Sequence, residues 1–283
     1  MNRYLLLLAS AWFVGCAGHG QLKFVADLPS SLDENSGIAM FNDSTVWLIE
    51  DKGNGDNIYK VNHKGEIIQK LEVKNAKNGD WEDLATNSNG NLYIGDFGNN
   101  DNNRKNLTIY KLPNPETEPG DKIDAKKIKF RYPEQKDFPA KKEDRVFDAE
   151  AFFHYGQNLY IFTKNDGNPF TGETSIYRVI DKKGKQDAKL VGRLNICLDW
   201  NTCRITSADI SPNGKTIVLL GYGKLWRLTD FTLNDFSGVT IEEFDLGIRT
   251  QLESVCFSDN DTLFLSDEKR GNEGGNLYSL VLP

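Results

Sequence analysis

One four-residue phrase occurs five times: Ile58-Tyr59-Lys60-Val61, Ile109-Tyr110-Lys111-Leu112, Ile176-Tyr177-Arg178-Val179, Leu225-Trp226-Arg227-Leu228 and Leu277-Tyr278-Ser279-Leu280. Aliphatic, aromatic, polar and aliphatic positions in that order suit a strand with one face more buried than the other. The aromatic positions lie 51, 67, 49 and 52 residues apart, a spacing typical of repeat architectures. Ahead of each phrase comes an apolar hairpin with a polar turn. Examples are Leu84–Ala85, Asn87-Ser88-Asn89-Gly90, Leu92–Ile94, and Val255–Phe257, Ser258–Asp261, Leu263–Leu265. After the first four phrases comes one further strand each: Glu66–Val73, Lys126–Tyr132, Lys189–Leu194 and Val239–Leu246. The fifth is followed only by Val281-Leu282-Pro283.

Four antiparallel strands per repeat describe the blade of an all-β propeller. The last blade lacks its outer strand, and Leu22–Leu28 supplies a spare. The expected fold is therefore a five-bladed β-propeller closed by the N-terminal strand, which docks beside Leu277–Leu282 and covers an exposed edge. Six blades are the alternative, because the 67-residue interval has room for more. Its excess lies in Pro113–Asp121 and Pro133–Arg145, which are rich in Pro and Lys and read as loops.

The 283 residues carry 34 Lys and Arg against 41 Asp and Glu, and a net charge of −7 argues against a nucleic-acid partner. Three His leave little room for His-dependent chemistry: His19 precedes the first strand, His63 sits in a turn, and His154 lies near the far end of an inner strand. Met1-Asn2-Arg3 followed by the apolar run Tyr4–Val14 reads as an export signal, and Val14-Gly15-Cys16 as the end of a lipobox. Residues 1–16 are thus expected to be a signal segment and 17–283 one propeller domain. The expected location is the cell envelope, with membrane attachment only through lipidated Cys16, and the expected state is a monomer. Cys197 and Cys203 can form a local bridge in an exported chain, and Cys256 reads as a buried thiol.

In a meander, the loops between second and third strands open on the same face as the links between blades. These segments are long and polar here: Asp51–Asn57, Asp96–Asn106, Asn165–Thr174, Asp267–Gly275, with links Lys74–Asp80, Pro133–Phe147 and Asn195–Arg204. The opposite face has mostly tight turns. At the start of each inner strand stands an oxygen-bearing residue: Ser36, Glu82, Glu150, Thr206 and Glu253. Inner strands line the channel of a propeller, so these oxygens converge on one axis. Gathered carboxylates need a positive charge among them, and an all-oxygen set suits Ca²⁺. The competing structural reading gives each acid a Lys partner or a strand end to cap.

Two resemblances follow from these residues. Asp80-Trp81-Glu82-Asp83-Leu84-Ala85, with Gly95-Asp96-Phe97-Gly98-Asn99-Asn100 and Arg104, resembles a signature of bacterial secreted propeller proteins, many of them lipoproteins. The central order hydroxyl, Glu, Glu, hydroxyl, Glu is similar to that of the calcium-activated nucleotidases (apyrases), five-bladed propellers with Ca²⁺ in the tunnel. That resemblance implies Ser36, Glu82, Glu150, Thr206 or Ser207, and Glu253 as ligand positions, and the spacing to the next hairpin favours Thr206.

The first functional expectation is a metal-dependent phosphoester hydrolase. In it Asp96 or Asp267 orients water, and Arg104, Lys164, Lys269 or Arg270 neutralises the substrate. A glycoside hydrolase using Glu82 and Glu150 is a second possibility. The alternative from another class is a binding or scaffold module with structural Ca²⁺, taking a small anionic ligand or carbohydrate on the long-loop face. Trp81, Phe97 and Phe170 would be its contacts there.

Overall fold

The computed structural model describes residues 18–282, so the apolar leader and Cys16 lie outside the described residues. Among the described residues no helix is long and apolar enough to cross a membrane. The chain forms five sheets. Blade one comprises Asn35–Asn42, Thr45–Glu50, Asn57–Asn62 and Ile67–Lys74. Blade two comprises Trp81–Thr86, Leu92–Asp96, Thr108–Leu112 and Lys126–Arg131. Blade three has Asp148–Tyr155, Asn158–Lys164, Glu173–Ile180 and Lys189–Asn195. Blade four has Ser207–Ile210, Ile217–Gly221, Lys224–Thr229 and Thr240–Asp245. Blade five has Leu252–Phe257, Thr262–Asp267 and Asn276–Val281.

The fourth strand of blade five is Lys23–Asp27, antiparallel to Asn276–Val281 with Lys23 opposite Ser279 and Asp27 opposite Asn276. Each inner strand lies against the next, and the fifth against the first, so the ring closes. Five apolar clusters fill the wedges between neighbouring blades. Trp47, Tyr93, Tyr177, Trp226 and Tyr278 are essentially fully buried there.

There is no sixth blade among the described residues. The two Pro-rich stretches hold only short 3₁₀ turns, Pro115–Thr117 and Lys142–Asp144. Two features escape the sequence pattern. Lys122–Asp124 adds a parallel fifth strand to blade one, and Gly184–Asp187 does the same for blade two. Cys197 and Cys203 are bridged, with Cα atoms 5.7 Å apart, and Cys256 is free and buried.

Candidate metal centre at the channel mouth

Near the start of the inner strand, pairing with the second strand skips one residue in four of the five blades. The skipped residues are Ser36, Glu82, Glu150 and Glu253. A bulge leaves its extra residue out of the ladder and re-aims its side chain, here into the channel. All four line one cavity of about 220 Å³ on the long-loop face. In blade four the ladder begins only at Ser207, opposite Leu220, and Thr206 stands just before it, its N–H donating to the Leu220 carbonyl at 2.9 Å. Its hydroxyl donates to the Leu252 carbonyl at 2.7 Å, and Thr206 is not among the residues lining the cavity.

Asp96, Arg104 and Asp267 also stand outside that lining. Arg104 donates to Asp96 Oδ1 at 2.7 Å and to the Gly98 carbonyl at 2.7 Å. The Tyr110 hydroxyl donates to Asp96 Oδ2 at 3.3 Å, and the Tyr278 hydroxyl to Asp267 Oδ2 at 2.9 Å. The acid closing the second strand thus holds the tyrosine of its own blade's repeated phrase. Alternation along a strand sends the next residue the opposite way. In blades one and five that next residue, Asp51 and Glu268, does line the cavity.

The cavity has two electrostatic halves. On one side Asp51 and Glu82, with Asp80 behind the lining, each offer a carboxylate oxygen, all within 4.8 Å of one another, and Asp80 also lies 3.6 Å from Lys52 and 3.9 Å from Arg104. Glu82 is 5% exposed and its carboxylate makes no hydrogen bond or ion pair to any described residue. Burial pushes its carboxyl well up, and Glu150, Asp51, Asp148 and Asp80 push it further. Burial also raises Asp51 to about 7, with Asp80, Glu150 and Glu268 adding to it. Gly98 packs against this carboxylate, for a Cβ there would stand 1.8 Å from Glu82 Oε1.

On the other side Lys164 Nζ meets Glu150 Oε2 at 2.5 Å, both side chains nearly inaccessible. Burial opposes the Lys164 charge, but Glu150, Tyr222, Glu253 and Asp148 overcome it and hold its pKa well above the ordinary value. Arg204 lies 5.3 Å from the Tyr222 ring and 3.8 Å from the Trp200 ring. Arg270 pairs with Glu268 at 3.0 Å. Glu253 accepts from Gln251 at 2.9 Å, and burial raises it to about 7, Lys164 working against that and Glu150 with it.

Below the mouth the channel is closed by Asp83, which is fully buried. It accepts from the N–H of Leu84 at 2.9 Å, Phe152 at 3.2 Å and Ala208 at 3.4 Å, and from the Ser207 hydroxyl at 3.1 Å. Ser207 Oγ in turn accepts from Val255 N–H at 3.0 Å, so one carboxylate ties four inner strands together.

Fold and mouth together define a β-propeller whose channel opens into an acidic half beside one where Lys164, Arg204 and Arg270 stand among Glu150, Glu253 and Glu268. No protein-family model matches the chain, and no curated protein matches it. Among solved structures, the PQQ-bound aldose sugar dehydrogenase of Streptomyces coelicolor superposes with a TM-score of 0.53 at 12% identity, over 93% of this chain and 98% of that one. A catalytically inactive virginiamycin B lyase of Staphylococcus aureus, solved with quinupristin, gives 0.43 at 17% identity over 90% and 69%. A gluconolactonase of Xanthomonas campestris gives 0.45 at 13% identity over 88% and 72%. The dehydrogenase likeness is one of β-propeller fold.

Proposed function

We propose that the channel mouth holds a divalent cation, Ca²⁺, on Asp51, Asp80 and Glu82 and acts on a small anionic phosphoester. The observation that carries this reading is Glu82: a buried carboxylate without a donor, facing two more carboxylates. Its ionised form is costly unless a cation neutralises it. Three carboxylates offering only oxygen suit a hard cation that completes its shell with water or substrate. Such an ion would supply Lewis-acid polarisation of a phosphoryl oxygen.

The chain's own residues provide the rest. Lys164, Arg204 and Arg270 gather the negative charge of the substrate opposite the acids. Glu253, poised near neutrality and separate from the cation ligands, takes a proton from the attacking water. Ser36 donates to the Glu82 carbonyl at 2.7 Å and keeps that bulge in place. Asp96, Arg104 and Asp267 are positioning residues that fix the loops around the mouth. Export to the cell envelope and a lipid anchor at Cys16 belong to the same proposal, since an extracytoplasmic setting supplies Ca²⁺ and permits the Cys197–Cys203 bridge.

The test is thermal melting in EDTA and after added Ca²⁺, followed by a panel of phosphomonoesters and diesters. The wild type should melt higher with Ca²⁺ and turn over at least one ester, while Glu82→Gln loses both responses. A Ca²⁺-dependent melt without turnover of any ester leaves a binding module with structural Ca²⁺. A melt indifferent to Ca²⁺ removes the cation from the mouth altogether.

A further inference from the structure

The chain is acidic overall, yet its charge is strongly segregated. Blade two's outer strand reads Lys126-Lys127-Ile128-Lys129-Phe130-Arg131, and Lys182, Lys183 and Lys185 precede or enter the parallel strand paired with it. Two adjoining pockets of about 440 and 550 Å³ open along this edge and share Lys105, Leu107, Phe130 and Arg131. Each volume falls within the range of small-molecule sites. They lie on the blade's flank, and neither shares a residue with the lining of the channel mouth.

The floor is apolar and largely aromatic: Leu107, Phe130, Tyr132 and Phe138. The rim is cationic. Arg131 is forked onto Asp187, the one acid that lines either pocket. Among the described residues no carboxylate lies within ion-pair distance of Lys105, Lys129 or Lys185. Lys105 Nζ sits 4.6 Å over the Phe138 ring, and Lys136 donates to the Pro133 carbonyl and also acts electrostatically on Asp187.

The pocket wall is rigid. Tyr132 contributes its ring, which is wedged against Phe130, Phe147 and Tyr177, and the residue is only 2% exposed.

We propose that this flank pocket binds a soluble organic anion with an apolar body, a carboxylate or sulfonate carried on a short chain or ring. The apolar part lies on Leu107, Phe130 and Phe138. The anionic head meets Lys105 and Lys136 at the rim. Neither half of this chemistry suffices alone: bare charge would not use the aromatic floor, and a neutral hydrocarbon would leave the lysines idle.

The experiment uses the full chain and the fluorescent anion 1-anilinonaphthalene-8-sulfonate as probe. It should bind the folded protein saturably, and decanoate should displace it, whereas inorganic phosphate and uncharged decanol at equal concentration should not. Lys105→Glu with Lys136→Glu should weaken the probe about tenfold or more without lowering the melting temperature. Probe binding unchanged in the double variant would overturn the proposal. So would displacement by phosphate as effective as by decanoate. Decanoate failing while phosphatidylglycerol vesicles displace the probe would overturn it too, putting a membrane surface in place of a soluble ligand.

Discussion

Glu82 and Asp83 are adjacent carboxylates, almost equally buried, in opposite circumstances. Asp83 at the channel's waist is surrounded by three backbone N–H groups and a hydroxyl. Glu82 at the mouth has no donor and has other carboxylates for neighbours. Burial pushes the Asp83 carboxyl well up too, but its four donors work against that, so the waist shows a buried carboxylate satisfied by its own fold. The mouth shows one left open for something to be bound. The pairing slip at Glu82 makes the difference, turning it to the mouth while Asp83 stays in the ladder.

The largest effect should come from breaking the waist. Asp83→Ala strands the N–H groups of Phe152 and Ala208 and loosens four inner strands at once. We expect a loss of about 3 kcal/mol or more in urea unfolding, since each orphaned buried donor costs roughly 1–3 kcal/mol. Glu82→Gln should do the reverse in EDTA, raising stability by about 1 kcal/mol through relief of like-charge repulsion. Equal destabilisation by both substitutions would erase the distinction between mouth and waist.

The pH dependence sharpens the same contrast. Glu253 and Asp209 are raised by burial to about 7 from ordinary values of 4.5 and 3.8. A carboxyl raised in the folded state favours folding fully below its unfolded pKa, and that contribution is lost as pH climbs through the folded value. The EDTA-treated protein should therefore lose stability between about pH 4 and about pH 7, a fall in melting temperature of several degrees. Saturating Ca²⁺ should shrink the fall, because a bound cation favours the ionised carboxylates around it. A flat profile in EDTA would mean that the mouth and channel acids are already compensated.

Much of this was legible before any coordinates. The repeated phrase identified the blades, because strand periodicity and a near-constant interval leave few other folds, and the unpaired Leu22–Leu28 run foretold the closing strand. The parallel strands Lys122–Asp124 and Gly184–Asp187 were not legible, for three or four mostly polar residues carry no pattern. Convergence of Ser36, Glu82, Glu150 and Glu253 was readable from blade position. The pairing skips that turn them inward were not, since a bulge leaves no mark in composition. Asp267 stands one residue out of phase with Glu268, the one that lines the cavity, because one step along a strand reverses the side chain. Lys164 was visible as a cation, but only the fold brings it onto Glu150.

The smallest expected difference separates two hydroxyls with the same local bond. Ser36 donates to the carbonyl of Glu82 and Thr206 to that of Leu252, each at 2.7 Å and each reaching 46 residues along the chain to the next blade. Ser36→Ala and Thr206→Val should cost about the same, on the order of 1 kcal/mol, because each deletes one buried hydrogen bond. Their effects on Ca²⁺ should part. Ser36 sits on a bulge, lines the cavity and steadies the backbone from which Glu82 projects, so its loss should raise the Ca²⁺ midpoint of the thermal shift a few-fold. Thr206 stands just before its blade's ladder and outside the lining, so its loss should leave that midpoint where it was. A Ca²⁺ midpoint moved equally by both substitutions would show that blade-to-blade bonding in general, not the bulge, governs the mouth.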